Sequence, residues 1–245
     1  MIKRARLDHL LVERGLAATR AEARRRILAG EVLLDDKPVS KAGALVPPTA
    51  PIRLTRARVY VGRGGDKLEK ALAHFAIDVN GKVALDVGAS TGGFTHCLLA
   101  AGARRVYAVD VGRDQIAPVL RADPRVDVFE KTDIRRLKLD LLPETPEIAT
   151  IDASFISLRL ILPAVRALLA PHGEIVALIK PQFEVGKGKT VKGVVRRAEE
   201  HARVIEEIRS AALAQTLETL GVVESPLLGG KGNKEFFIHL RKIER

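Results

Sequence analysis

The sequence lacks the features that mark secreted and membrane-spanning proteins. Its single cysteine, Cys97, excludes a disulfide within the chain and fits a reducing compartment. No apolar run approaches the ~20 residues that a helix needs to cross a bilayer. The longest candidate is interrupted by Pro163 and Arg166. The first residues lead into an amphipathic pattern and not into the apolar centre of a signal peptide. We therefore expect a cytoplasmic protein with no membrane-bound part.

Acidic residues are also in the minority, and the imbalance is uneven along the chain. The formal net charge is +11. Residues 1–60 contain thirteen Lys or Arg and six Asp or Glu, so they carry most of the excess. A basic excess in the first quarter of the chain indicates a front module that binds a polyanion. An arginine-rich solvated surface would have the same composition, so charge alone leaves both interpretations open.

Residues 1–60, which include part of a linker, have the pattern of a small α+β domain. Gly15 stops a first short helix, and Thr19 begins a second one with a capping-box pattern. Gly30 stands where a left-handed helix cap belongs. Short strands are predicted at 32–34 and 52–54, with proline-rich loops around them. The second helix is predicted to bury Ala21, Ala23, Ile27 and Leu28.

This front pattern resembles the S4-type RNA-binding domain over about residues 4–58. The resemblance is carried by the segment Arg6-Leu7-Asp8-His9-Leu10-Leu11-Val12 and by the Thr19-Arg20 pair. It implies binding of structured RNA through helix-borne arginines. The tripeptide Arg6-Leu7-Asp8 also carries the catalytic Asp of pseudouridine synthases, but here it opens the front helix, where the S4-type fold keeps a structural Asp. The residues expected to contact RNA from this domain are Arg4, Arg6, Arg20, Arg24 and Arg25.

Beyond a linker at 55–62, strand and helix patterns alternate through residues 61–245. The apolar strand runs are 83–87, 106–109, 148–151 and 175–179, with weaker runs at 126–129 and 220–223 and a last strand at 236–240. The helical stretches are 67–76, 93–101, 158–169 and 196–220. This alternation predicts a doubly wound, mostly parallel sheet whose site lies at the carboxyl ends of the strands.

The most informative segment is Val83–Phe94, in which an apolar strand ends in an acid and turns through glycines into a helix. Gly88 and Gly92 are separated by three residues, so this is not the dinucleotide-binding pattern. The spacing resembles the first motif of Rossmann-like S-adenosylmethionine methyltransferases, whose last strand is antiparallel. Asp110, after the next strand, would accept the ribose hydroxyls, and Asp133 would contact the adenine amine. The residues expected to bind the cofactor are Asp86, Gly88, Ala89, Ser90, Gly92, Gly93, Phe94, Asp110, Val111, Asp133 and Ile134.

The atom that receives the methyl group is indicated by the end of the fourth strand. Amino-nitrogen methyltransferases usually have Asn or Asp followed by Pro-Pro-Tyr there, whereas this chain has Asp152-Ala153-Ser154-Phe155. Methylation of a cytosine carbon needs a cysteine nucleophile, and Cys97 lies away from that position. A hydroxyl acceptor must lose a proton, and a lysine serves as its base only where burial or neighbouring positive charge lowers the lysine pKa. Lys180 follows the fifth strand and Lys67 opens a helix before the sheet.

Together these residues resemble the Lys-Asp-Lys-Glu tetrad of FtsJ-type 2′-O-methyltransferases. The motifs are Gly64-Gly65-Asp66-Lys67-Leu68, Asp152, Ile179-Lys180-Pro181 and Gly232-Asn233-Lys234-Glu235-Phe236. With the S4-type domain in front, the chain resembles the TlyA family over nearly all 245 residues. One departure is Asp66, where members often have an aromatic residue.

The resemblance implies methylation of a cytidine 2′-hydroxyl in ribosomal RNA, with ribosomal RNA or ribosomal subunits as partners. It implies that Lys180 is the base or proton acceptor and that Lys67 is its electrostatic partner. Asp152 would orient the amine of Lys180, and Glu235 would position the ribose or Lys67. Many members carry the label hemolysin. Oligomeric state cannot be deduced from the sequence, and a monomer is the default.

Two further features concern the substrate. The loop 181–195 is rich in glycine and lysine, and we interpret it as a flap that faces RNA through Lys187 and Lys189; a solvated loop would have the same composition. Phe155 and Phe183 could stack a base or the adenine, or could belong to the core. The histidines show no ligand spacing, so no metal is expected.

Two other functions compete with methyl transfer. A non-catalytic ribosome-assembly factor could keep a methyltransferase fold, but it would have no need of two lysines facing two acids. A membrane-lytic protein, as the hemolysin label suggests, would need a spanning or amphipathic segment with bulky aromatic residues, and the basic helix has none.

Overall fold

A computed structural model describes residues 4–54, 59–186 and 189–243 of the chain. The chain forms two compact units, residues 1–59 and residues 60–245. The second unit begins within one residue of the predicted domain boundary. Half of the predicted linker, residues 55–58, and Lys187 of the predicted flap lie outside the described residues.

The first unit is a small α+β domain of two helices and short strands. Its elements are β1 (Ala5–Arg6), α1 (Leu7–Glu13), α2 (Arg20–Leu28), β2 (Val32–Leu34), β3 (Lys37–Pro38), β4 (Leu45–Val46) and β5 (Ile52–Leu54). The central strand β2 pairs antiparallel with β3 and β5, and β1 pairs with β4. The Thr19 hydroxyl caps α2 by accepting from the Glu22 amide at 3.1 Å, as the capping-box pattern predicts.

One prediction for α2 is wrong in detail. Ala23 and Ile27 are fully buried, but the Leu28 side chain is 70% exposed and Ala21 is exposed too. Residues four apart share a helix face, whereas Leu28 lies a further 100° around the axis. The helix therefore buries a narrow stripe and leaves its remaining circumference for charged side chains.

The second unit is a seven-stranded, mostly parallel sheet covered by helices. Its elements are α3 (Arg63–His74), β6 (Val83–Val87), α4 (Gly93–Ala100), β7 (Arg105–Val109), α5 (Pro118–Arg121), β8 (Val126–Phe129), β9 (Ile148–Ile151), α6 (Leu158–Leu168), β10 (Glu174–Ile179), α7 (Pro181–Glu184), α8 (Ala198–Ala214), β11 (Leu217–Glu224) and β12 (Phe236–Lys242). The strand order is β11-β12-β10-β9-β6-β7-β8. The strand β12 is antiparallel to both of its neighbours, as predicted.

The sheet is buried on both faces, which explains the continuous apolar runs of its central strands. All five residues of β6 are buried, and so are the four residues of β9. One cluster of apolar side chains packs α6 and α8 against the sheet, and a second packs α3 and α4. Because the parallel strands share one direction, the segments that follow β6, β7, β9 and β10 all emerge at the same edge.

Three predicted segments differ from the structure. The predicted helix 196–220 ends at Ala214, because Thr216 has a left-handed φ of 53° and residues from Leu217 onward pair with β12 as β11. The helix that carries Lys67 begins four residues earlier than predicted, at Arg63. The predicted loop after Lys180 opens with the short helix α7, whose proline occupies the first turn, where a missing N–H costs nothing.

No helix within the described part of the chain is both long enough and apolar enough to cross a membrane.

Candidate active site

The turn between β6 and α4 brings three segments of backbone into close contact. Gly88 has a φ of 83°, and a Cβ there would stand 2.9 Å from the carbonyl oxygen of Asp152. A Cβ on Gly93 would stand 3.1 Å from the Gly65 amide nitrogen at the start of α3. The approach of β9 therefore requires glycine at Gly88, and the contact between two helix starts favours glycine at Gly93.

A cleft of about 410 Å³ opens at this edge of the sheet, within the usual range for a small-molecule site. Of the residues expected to bind the cofactor, Gly88, Ser90, Asp110, Val111, Asp133 and Ile134 line it. The other five predicted contacts, Asp86, Ala89, Gly92, Gly93 and Phe94, do not line this cleft. Gln115, which no sequence motif indicates, also lines the wall and accepts a hydrogen bond from the Ser90 hydroxyl at 3.2 Å.

Two carboxylates line the cleft in fixed orientations. Asp110 accepts the amide N–H of Ser90 at 2.8 Å and that of Gly112 at 2.6 Å, so the loop itself holds its side chain. Asp133 caps the next turn and is bound by the Arg135 guanidinium at 2.6 Å. The hydrogen bonds from Arg135 lower the pKa of Asp133 to about 2. Both carboxylates therefore present fixed oxygen acceptors to a ligand with hydroxyl or amine groups.

Asp86 has a different place from the one predicted. Its side chain is fully buried and accepts the hydroxyls of Thr95 at 2.6 Å and Thr150 at 3.1 Å. Burial raises the pKa of Asp86 to about 7. The carboxyl group thus joins β6 to α4 and β9 beneath the glycine turn, and supports the cleft from behind. Phe94 is likewise a core residue, stacked on Phe237 with ring centroids 6.2 Å apart.

The first of two lysine–carboxylate pairs lies at the end of β10. The Lys180 Nζ atom is 2.7 Å from Oδ1 of Asp152 and donates to the Ser154 hydroxyl at 2.8 Å. It also donates to the carbonyl oxygen of Asp152 at 3.3 Å. The Lys180 side chain is only 11% exposed, so these three acceptors supply most of the solvation of its ammonium group.

The second pair links α3 to the segment before β12. Lys67 Nζ donates to Oε2 of Glu235 at 2.6 Å, and both side chains are nearly buried. Gly229 lies directly against the carboxylate of Glu235, so a larger residue there would displace it. Gly229 packs against the Glu235 carboxylate, and little solvent reaches either side chain. The ion pair is therefore held in one arrangement.

Sheet register brings the two pairs together. Ile179 pairs with Phe236 across the antiparallel strands β10 and β12. Lys180 follows Ile179 and Glu235 precedes Phe236, so both residues lie next to this pair at the same edge of the sheet. On the other side, Oδ2 of Asp152 lies 3.8 Å from where a Cβ on Gly64 would stand, one turn before Lys67. The structure thus gathers all four residues of the predicted tetrad at one edge of the sheet, and Asp152 also lines the cleft.

Comparisons with known proteins agree with this geometry. A model of the FtsJ-like methyltransferase family matches residues 60–242, and a model of the S4 domain matches residues 5–52. The chain is 43% identical over 244 residues to the 16S/23S rRNA (cytidine-2′-O)-methyltransferase TlyA of Mycobacterium tuberculosis, an alignment that covers 98% of this chain and 91% of that one. The chain belongs to the TlyA family.

Two other proteins are similar over most of their length. YqxC of Bacillus subtilis is 48% identical over 243 residues, 97% of this chain and 86% of YqxC. A Streptococcus thermophilus protein solved under the name hemolysin superposes with a TM-score of 0.78 at 41% identity, covering 100% of this chain and 90% of that one. The hemolysin label therefore occurs on proteins with this fold.

The methyl donor of this methyltransferase family is S-adenosylmethionine, and the cleft fits it. Asp110 and Asp133 supply acceptors for hydroxyl and amine groups, and Gly88 leaves open backbone where a side chain would block access. The described residues include no group of three or more His, Cys, Asp or Glu side chains that could hold a metal ion.

An aromatic pair stands at the rim of the cleft. Phe155 lines the cleft, is 90% exposed and has a left-handed φ of 64°. Its ring centroid lies 5.0 Å from that of Phe183 in α7. The sequence left open whether these residues belong to the core, and Phe155 does not. The role of this pair in stacking a base stays a prediction.

The predicted RNA contacts of the first unit are at its surface. Arg4, Arg24 and Arg25 are exposed, and the half-exposed Arg6 and Arg20 share one buried carboxylate. Asp8 accepts Arg6 Nη2 at 2.9 Å and Arg20 Nε at 3.2 Å. In the second unit, Lys189 is 3.1 Å from Glu200, which partly neutralises it. Lys187 lies outside the described residues.

Proposed function

We propose that this chain transfers a methyl group from S-adenosylmethionine to the 2′-hydroxyl of a cytidine in ribosomal RNA. The substrate class is supported by the name of the M. tuberculosis relative and by the S4 domain in front. The observation that carries the proposal is the pair of lysine–carboxylate contacts at the edge of the cleft, Lys180 with Asp152 and Lys67 with Glu235.

The residues of the cleft would hold the methyl donor in a fixed orientation. Asp110 would accept the ribose hydroxyls of the donor, and Asp133 would accept its adenine amine. S-adenosylmethionine supplies an electrophilic methyl group on a positively charged sulfur. The chain must therefore hold a nucleophilic oxygen in line with that methyl group and remove its proton, and both tasks are well served by groups of fixed geometry.

Lys180 is the group best placed to take this proton. It stands at the cleft edge, where Asp152 orients its amine and also lines the wall. Lys67 would supply neighbouring positive charge, and Glu235 would hold Lys67 in place through the 2.6 Å contact. A scaffold protein would gain little from enclosing two lysines, because burying charge costs free energy unless each charge is well paired.

The first unit would anchor the RNA substrate. Its exposed arginines, including Arg6 and Arg20, are suited to phosphate contacts that fix the register of the substrate without reading sequence. A target cytidine inside a helix would have to leave the stack to reach the cleft. The exposed ring of Phe155 stands at the rim where such a base would enter.

The test is transfer of labelled methyl groups to purified ribosomal subunits and to free ribosomal RNA. We expect the wild-type chain to label RNA at a ribose that then resists alkaline cleavage. Lys180→Ala should lower the rate by at least ~100-fold, the scale of general base catalysis. Lys70→Ala removes an exposed lysine from α3 and serves as the matched control with unchanged activity.

Each negative outcome has a distinct meaning. Label that stays sensitive to alkali would place the methyl group on a base and contradict 2′-O-methylation. No label on any RNA or subunit, with measurable binding of S-adenosylmethionine, would favour a non-catalytic assembly factor. Full activity of Lys180→Ala would assign the proton acceptor elsewhere.

A further inference from the structure

We propose that Ser154 is a positioning residue for proton transfer, whose hydroxyl stabilises the ammonium group that forms on Lys180. This inference deepens the proposed function and rests on it. Ser154 does not belong to the tetrad, and the sequence offers only its place two residues after Asp152 as a signal.

Three oxygen atoms surround the Nζ atom of Lys180. A lysine ammonium has three N–H donors directed tetrahedrally away from its carbon. Around Nζ of Lys180, the structure places Oδ1 of Asp152 at 2.7 Å, Oγ of Ser154 at 2.8 Å and the carbonyl oxygen of Asp152 at 3.3 Å. Two of these contacts are hydrogen bonds, to Ser154 and to the carbonyl oxygen of Asp152, and the third is an ion pair with the Asp152 carboxylate, so all three would stabilise a positive charge on Nζ.

Ser154 differs from the other two acceptors in its access to the cleft. It is exposed and lines the cleft wall, whereas the carbonyl oxygen of Asp152 belongs to the backbone packed against Gly88. A ribose hydroxyl that reaches Nζ from the cleft must therefore approach beside the hydroxyl of Ser154. The serine hydroxyl can rotate, since it is both donor and acceptor. It can give way to the substrate oxygen and then accept a hydrogen bond from the new ammonium.

The proposed step balances in atoms and charge. The neutral amine of Lys180 takes the proton of the 2′-hydroxyl, and the 2′-oxygen forms a bond to the methyl carbon as the carbon–sulfur bond breaks. The electron pair of that bond stays on sulfur, so one positive charge passes from sulfur to Lys180. The acceptors around Nζ are in place before this charge arrives, which is the arrangement that stabilises developing charge most effectively.

The position of Ser154 is fixed by the loop that carries it. The next residue, Phe155, has a left-handed φ of 64°, a conformation that is uncommon for residues other than glycine. Beyond it, the buried carboxylate of Glu184 accepts the Ser157 hydroxyl at 2.5 Å and the Leu158 amide at 2.8 Å. The loop is therefore tied at both ends, by Asp152 to the strand edge and by Glu184 to α7.

The experiment compares Ser154→Ala, Ser154→Thr and the matched control Ser210→Ala. Ser210 is an exposed serine of α8 that does not line the cleft. We expect Ser154→Ala to lower kcat by roughly 10-fold to 100-fold with unchanged affinity for S-adenosylmethionine and RNA. The half-maximal pH of its kcat profile should move to lower pH, because the ammonium loses an acceptor. Ser154→Thr keeps the hydroxyl and should restore both properties.

A second measurement follows the protonation of the Lys180 amine in the absence of RNA. The rate at which acetic anhydride labels Lys180, followed by mass spectrometry across pH, reports the fraction of neutral amine. Ser154→Ala should shift this profile to lower pH, and Ser210→Ala should leave it in place. If the wild-type chain methylates no RNA but the shift occurs, the proposed function fails and the role of Ser154 toward Lys180 stands. An unshifted labelling profile, or equal defects in Ser154→Ala and Ser154→Thr, would overturn the inference.

Discussion

The two units of this chain arrange buried charge in opposite ways. In the first unit the acid is inside: Asp8 is fully buried, whereas the side chains of Arg6 and Arg20 are 46% and 51% exposed. In the second unit the cations are inside: the side chains of Lys67 and Lys180 are each only 11% exposed. The same type of ion pair therefore presents positive charge to solvent in one unit and withdraws it in the other.

This difference separates binding from chemistry. A half-exposed guanidinium anchored from behind keeps free N–H groups for phosphate oxygens, and arginine suits this planar recognition. An enclosed lysine gains little from a phosphate that cannot reach it. It is instead sensitive to neighbouring charge, because few water molecules screen it. The identity of the cation, arginine outside and lysine inside, follows the task of each unit.

The largest expected effect comes from breaking the enclosed pair in the second unit. Glu235→Gln leaves the positive charge of Lys67 buried without its partner, and loss of one member of a buried pair costs about 3–5 kcal/mol of unfolding free energy. The double variant Lys67→Met, Glu235→Met removes both charges and should recover most of that stability. Methyl transfer should be lost in both variants. Denaturant unfolding and the methyl-transfer assay make the two measurements.

The matched control for this prediction is Lys234→Ala. Lys234 is exposed, precedes Glu235 in the chain and forms an ion pair with Glu224. The control variant should change stability by less than about 1 kcal/mol. Equal stability of the wild type and Glu235→Gln would show that solvent reaches Lys67 and that the enclosure argued from the structure is wrong. Recovery of activity in the double variant would exclude Lys67 from the reaction.

The second prediction concerns Asp8, the anchor of the exposed arginines. Asp8→Asn makes the unit more positive, so charge alone predicts tighter RNA binding. If Asp8 instead positions Arg6 and Arg20, affinity should fall several-fold, because both guanidiniums lose the acceptor that orients them. Asp36→Asn, which removes an exposed acid paired with Arg53, is the matched control. Filter binding to ribosomal RNA at several salt concentrations distinguishes the two expectations.

The slope of the logarithm of RNA affinity against the logarithm of salt concentration makes this test more specific. Arg6→Gln and Arg20→Gln should each lower the slope by about one if each arginine contacts one phosphate. Circular dichroism must show that Asp8→Asn stays folded. Tighter binding by Asp8→Asn, at the level of Asp36→Asn, would leave Asp8 with a structural role alone.

The parts of this molecule that the sequence predicts well are those with a local physical signal. Gly88, between an apolar strand and a helix, predicts the turn between β6 and α4. The order of Lys67, Asp152, Lys180 and Glu235 predicts the edge of the sheet at which the site lies. Both depend on the long apolar strand runs and on their alternation with helices, which the hydrophobic pattern identifies. The pairing of each lysine with a particular carboxylate depends on sheet register, which no local pattern specifies.

The errors share one cause, which is that tertiary context decides between locally similar patterns. Leu217 continues the apolar pattern of α8, but it lies in β11 because β12 offers a strand partner. Asp86 ends a strand as a ligand-binding acid would, yet its side chain is turned toward two threonines. Ser154 was missed as a contact of Lys180, because a serine in a loop has no distinctive pattern of its own.

The most gradual expected effect, a slope with pH, comes from a comparison of two fully buried carboxyl groups. Two arginines lower the pKa of Asp8 to about 2, whereas burial raises the pKa of Asp86 to about 7 despite the hydrogen bonds from Thr95 and Thr150. An unfolded Asp titrates near ~3.9. Asp8 therefore contributes stability above about pH 4 that is lost as the pH falls toward 2. Asp86 binds more protons in the folded state between about pH 4 and 7, so it makes stability decline as the pH rises through that range.

Asp86→Asn should flatten this decline between pH 5 and 8, by an amount on the order of a few kcal/mol at most. Denaturant unfolding of the wild type and the variant at each pH measures it, with the exposed Asp140→Asn as control. Because an amide does not ionise, the stability of Asp86→Asn relative to the wild type should increase from pH 5 to about pH 7 and then level off. Parallel profiles would mean that Asp86 is already ionised at pH 5, and that the two threonine hydroxyls stabilise its charge as effectively as the arginines stabilise that of Asp8.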